Sequence, residues 1–184
     1  MNSSEYLPPP SVGRWRAYER SALQIRGFVG IGIHARLDPR MLADLIGLRV
    51  IGLDELAGVS REAREILMNG GAWSGGATTR LPDGSHIIIL NSAQSAGRQA
   101  ATLMEEICHI LFGHRPTLIA SWMESGRDYD HIKEEEAYGV GAAALLPYFA
   151  LKTALSAGQS LKTIAKRFGV SVPLVGYRSK GLKL

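Results

Sequence analysis

Apolar residues recur at helical spacing from Trp15 to about Phe28, through Tyr18, Ala22, Leu23 and Ile25, with arginines interspersed. This pattern predicts a first helix. Asp38-Pro39 is a helix start with proline at the first helical position, and the helix runs through Leu42, Leu45 and Ile46 to Gly47. Leu48 to Leu53 reads as a short buried strand, and Ser60 to Met68 as a helix closed by Gly70-Gly71. The pattern then becomes β in character. Trp73 to Leu81 and His86 to Leu90 flank Pro82-Asp83-Gly84, a strong turn signal, and together predict a hairpin.

Ser92 to Ser95 offer caps for a long helix, about Gly97 to Phe112, which Gly113 ends. His114 to Asp130 reads as a loop or short irregular helices. A second long helix starts near Ile132 and runs to about Leu146, where Pro147 interrupts it, and apolar positions continue to Leu155. Two short helices, Leu161 to Phe168 and Val172 to Lys180, are separated by Gly169-Val170-Ser171. Residues 1–12, with three prolines in a row, read as a flexible tail. This order predicts an α+β domain with a small antiparallel or mixed sheet over residues 13–155. A helix-turn-helix-like pair over residues 156–184 packs on it.

Composition adds limits rather than a function. The chain has 184 residues, of which 46% are hydrophobic and 21% charged, enough for one core. No apolar run approaches the roughly 18 to 20 residues that span a bilayer. The N-terminus has no apolar signal core. A single cysteine, Cys108, excludes an intrachain disulfide and a Cys-rich zinc cage, and its place on the apolar side of its helix reads as an inert buried thiol. These features point to a cytoplasmic protein with no membrane partner. The net charge is +4, and the C-terminal stretch carries Lys162, Lys166, Arg167, Arg178, Lys180 and Lys183 with no acid. That distribution keeps DNA open as a partner.

The candidate chemistry lies on the long helix. Glu105 and His109 are four residues apart, so a helix sets them one turn apart on one face, where both could reach one metal ion. Glu106 beside them could act as a general base toward water. The familiar arrangement is His-Glu-x-x-His, with two imidazoles on zinc and the glutamate taking a proton. Here it reads Glu-Glu-x-x-His. An amphipathic helix with a solvated polar stripe would show the same periodicity. Such a site needs a third protein ligand, often a carboxylate from a second helix. Glu134-Glu135-Glu136 opens the second long helix, where acids also complement the helix dipole.

The stretch IIILNSAQSAGRQAATLMEEICHILFGH resembles the core of the ImmA/IrrE family of zincin-like metallopeptidases, whose helix reads like TLAHELGHLLLGH. Arg98, Thr102, Leu103, Glu106, His109, Leu111, Gly113 and His114 fit. EEEAYGVGAAALLP resembles the family's second helix, ExEANxFAxxLLxP, at Glu134, Glu136, Ala137, Leu145 and Pro147. Tyr138 stands at the usual asparagine, Val140-Gly141 at the usual Phe-Ala and Ala144 at the first leucine. The segment from Ser160 onward looks like the family's C-terminal helical pair.

The resemblance implies a zincin-like metallopeptidase domain with two active-site helices. It implies a metal-dependent endopeptidase whose substrate is a protein, a transcriptional repressor. His109 would be a metal ligand, Glu106 the catalytic base and Glu134 the third ligand, with Glu136 the alternative. Glu105 stands where the family has its first histidine. Two carboxylates neutralise a divalent ion, and harder donors favour manganese or iron relative to zinc, though zinc accepts carboxylate readily. Zinc is therefore the first expectation, with manganese or iron open. His114 matches a frequent family histidine and, past the helix end, is expected in a structural hydrogen bond rather than as a ligand; His131, near Glu134 at the start of the second helix, could be a substitute ligand or transition-state group. A sheet edge in the hairpin would pair with an extended peptide. The alternative function is a catalytically impaired member that serves as a regulatory protein-binding or DNA-binding module.

Overall fold

The first helix, α1 (Arg14–Val29), buries Trp15, Glu19, Ala22, Ile25 and Arg26, a single stripe at helical spacing. Two of these five are charged, so the stripe is not the purely apolar one that the hydrophobic pattern suggests. The computed structural model describes residues 6–69, 75–81, 83–114 and 131–184. Residues 1–5 of the expected tail, the Gly70-Gly71 stop, Trp73, Pro82 and the expected loop over 115–130 lie outside them. Within the rest of the expected tail, Pro10–Val12 forms a 3-10 turn, Val12 is buried, and the Tyr6 ring meets Phe149 edge-on.

The fold is α+β, as the element order predicts. Asp38 caps α2 (Pro39–Leu45) by accepting from the Arg40 N–H at 3.0 Å. Next come β1 (Arg49–Gly52), α3 (Arg61–Asn69), β2 (Gly76–Arg80) and β3 (His86–Leu90). The sheet is mixed, in the order β1-β3-β2. β3 is central, parallel to β1 and antiparallel to β2, so the expected hairpin forms and, among the described residues, β2 is an edge. Buried Asn91 ties the hairpin down: its amide donates to Met68 O and its backbone N–H to Gly75 O.

The helical layer follows with α4 (Ala96–Leu111), α5 (His131–Leu145), α6 (Tyr148–Ser156), α7 (Leu161–Phe168) and α8 (Val172–Leu182). α5 packs against both α4 and α1. Its buried side is unusually small, with Gly139, Gly141 and Ala142 to Ala144, and this lets three helices approach closely. Pro147 breaks the apolar run, and α6 leaves at 54° to α5. No single described helix is long and apolar enough to cross a membrane.

A buried ion network holds that break. Glu19 accepts from the Tyr148 N–H at 2.5 Å and pairs with Arg178 at 2.6 Å. Arg178 also donates to Leu146 O at 3.1 Å, and Arg26 to Ala144 O at 2.6 Å. Two arginines thus take carbonyls from the C-terminal end of α5, where cationic donors are favoured. Arg178, read from the sequence as part of a basic surface, is fully buried here.

The C-terminal pair contributes Ile164, Phe168, Leu174, Val175 and Leu182 to the same core. Its turn lies directly on the start of α4. A Cβ added at Gly97 would sit 2.6 Å from the Val170 carbonyl carbon and 2.7 Å from the Ser171 nitrogen. Both atoms are backbone and cannot swing away. Gly97→Ala is therefore expected to cost about 1–3 kcal/mol of stability in urea unfolding. An unchanged midpoint would contradict this tight docking.

Candidate metal centre

Three side chains from two helices converge. One ligand atom each from Glu105 and His109 on α4 and Glu134 on α5 lies within 4.8 Å of the others. All three residues are half-buried. The i, i+4 spacing sets Glu105 and His109 on one face of α4. The glycine-rich packing of α5 brings Glu134 against that face, with its Oε2 3.5 Å from His109 Nε2. The other glutamates of the run point elsewhere: Glu135 pairs with Arg14 at 2.6 Å, and Glu136 lies 3.5 Å from His114 Nε2. His131 is exposed at the first position of α5 and does not join the cluster.

Glu106 is held by the sheet. The Thr78 hydroxyl on edge strand β2 donates to Glu106 Oε2 at 2.6 Å. The strand crosses very close to α4 at this point. A Cβ at Gly76 would meet Thr102 Cγ2 at 2.6 Å and Glu106 Oε1 at 3.4 Å, so a glycine opens the strand. Thr78 is not among the residues that the sequence singles out: its signal is the pair of polar Thr residues after Gly75-Gly76, which nothing in the periodicity ties to α4.

The electrostatics are those of crowded acids. Burial, with the charges of Glu106 and Glu134 added, pushes Glu105 up to about 7. Burial also raises Glu106, against the Thr78 hydrogen bond that lowers it. For His109, burial favours the neutral ring, but the hydrogen bond and charge of Glu134, with Glu106 and Glu105 behind it, raise it overall. Burial drives the Cys108 thiol far up, which makes it an inert group. A divalent cation among Glu105, His109 and Glu134 would offset this surplus of negative charge. Two carboxylate oxygens and one imidazole nitrogen are donors that zinc, manganese and iron all accept. The residues present therefore fit such an ion.

His109 is supported from behind. Its Nδ1 lies 3.0 Å from His114 Nδ1, with the two rings near edge-on at 67°. The helix end brings them together. His114 N–H bonds to His109 O at 2.9 Å and Gly113 N–H to Ile110 O at 3.1 Å, a Schellman turn made possible by Gly113 at φ 66°.

Residues 58–180 match the family described as IrrE N-terminal-like domain, Peptidase_M78. No curated protein matches the sequence. Among solved structures, the chain is similar in fold to a Mycobacterium tuberculosis transcriptional regulator, with TM-score 0.57 and 16% identity. The similarity covers 88% of this chain and 46% of the other, so this chain spans less than half the length of that regulator.

Proposed function

The chain belongs to the IrrE N-terminal-like domain family, and from that membership and the geometry of the cluster we propose that it is a metal-dependent endopeptidase acting on a protein, a transcriptional repressor. The observation that carries this reading is the convergence of Glu105, His109 and Glu134 within 4.8 Å, beside a glutamate fixed by Thr78. Glu105, His109 and Glu134 would hold the ion. A divalent ion there would supply Lewis acidity toward the scissile carbonyl and toward water.

The remaining work falls to the protein. Glu106, with Oε2 anchored by Thr78, takes the proton from the attacking water and returns it to the leaving amine. The edge of β2 pairs with an extended peptide by strand addition, which lays the scissile bond across α4. Burial raises Glu106 above the ordinary carboxylate value, which makes it a stronger base toward water. Zinc is the first expected ion, with manganese or iron as competitors because two of the three donors are carboxylates.

Reconstitution tests the reading. The purified chain incubated with zinc or manganese and desalted is expected to retain one ion per chain. Glu105→His restores a second imidazole and is expected to tighten zinc binding and widen its margin over manganese. Absence of both metals after reconstitution would overturn the reading and favour the alternative, a non-catalytic module binding a protein or DNA. That module would use the exposed cations Lys162, Lys166, Arg167 and Lys180, which share the C-terminal pair.

A further inference from the structure

We infer that His114, backed by Glu136, is a positioning residue that holds His109 through its Nδ1 and aims Nε2 at Glu105 and Glu134. The two Nδ1 atoms lie 3.0 Å apart. One of the two must carry the shared proton. If His114 carried it and were neutral, its Nε2 lone pair would face the Glu136 carboxylate at 3.5 Å, an arrangement of two acceptors. His109 would then hold its own proton on Nε2, the atom turned to Glu134, and could not ligate through it. With the proton on His109 Nδ1, His114 accepts, and its Nε2–H points at Glu136. Every polar atom from Glu136 to His109 Nδ1 is then matched, and Nε2, which meets Glu134 while no ion is bound, is the atom left to ligate when one binds.

The Schellman turn makes this geometry intrinsic to the sequence. Its longer hydrogen bond joins a residue to the one five positions before it, and here those residues are the two histidines. Glu136 is delivered separately, by the first turns of α5, two residues after Glu134. One helix start therefore supplies both a ligand and the residue that orients another ligand. Among the described residues Lys133 also bears on His114, and it opposes Glu136.

The inference rests on the metal site proposed above, so its test has a part that needs no metal. With histidine labelled in 15N, full-length protein is expected to show scalar coupling between His109 Nδ1 and His114 Nδ1 across their hydrogen bond. This should hold with or without zinc. In the zinc-loaded protein the proton is expected on His109. His114→Ala should abolish the coupling and weaken zinc binding about 10–100-fold in chelator competition. Glu136→Gln, at a half-exposed position that does not threaten folding, should weaken it less. His114→Asn, whose amide oxygen can accept in the same place, should recover part of the loss. No coupling in the wild type, or unchanged zinc affinity in His114→Ala, would overturn the inference. A wild type that shows the coupling but takes up no zinc would sink the metal site while the histidine pair stands.

Discussion

Glu106→Gln is expected to lower peptide hydrolysis by about 10²–10⁴-fold, the usual contribution of a positioned general base. Metal uptake should not change, because Glu106 is not in the ligand cluster. Glutamine keeps the side-chain length and an oxygen that can accept from Thr78, so the strand above the helix should stay in place. The measurement is cleavage of a peptide library by metal-loaded wild type and variant, followed by mass spectrometry, with metal content assayed in parallel. Equal rates in the two would remove Glu106 from the base role. Loss of metal together with activity would mean that the substitution disturbed α4 itself.

Glu19→Ala should cost about 3–5 kcal/mol of stability, the usual result of stranding one partner of a buried ion pair. Arg178 is fully buried and would lose its carboxylate, and the Tyr148 N–H would lose its acceptor. Urea unfolding measures the cost. Combining Glu19→Ala with Arg178→Met should recover much of it, since no unpaired charge then remains. A loss below about 1 kcal/mol for the single variant would mean that water reaches Arg178 and the pair is not sealed.

These two residues also show where the sequence is silent. The helices, the hairpin and the proline break at 147 follow from local periodicity and turn chemistry, and the helix bounds lie within a residue or two; β2 is shorter than the expected strand, and the choice of a mixed over an antiparallel sheet needed the structure. Helical spacing sets Glu105 and His109 on one face, as it would any polar stripe, and only the family resemblance singles out Glu106, His109 and Glu134 for roles. Glu19 and Arg26 look in sequence like ordinary solvated charges on an amphipathic helix. Their partners are what bury them: Glu19 meets Arg178, 159 residues away, and Arg26 meets the carbonyls of Ala144, 118 residues away, and of nearby Ala35. Thr78 is hidden for the same reason, since its role depends on a strand crossing a helix 28 residues later. The choice between the two strands of the hairpin as the edge also needed the sheet order, because either strand satisfies the hairpin pattern.

The arginine clamp at the end of α5 has a mechanical consequence. Arg26 fixes the carbonyl of Ala144, while Glu134 sits near the opposite end of the same helix. At 1.5 Å per residue the two are about 15 Å apart, so any change of axis at the C-terminal end of α5 is magnified at Glu134. A tilt of about 2° there displaces Glu134 by about 0.5 Å, the tolerance of a working site. Substitutions at that end, remote from every acid in the cluster, should thus loosen ion binding without touching a single ligand.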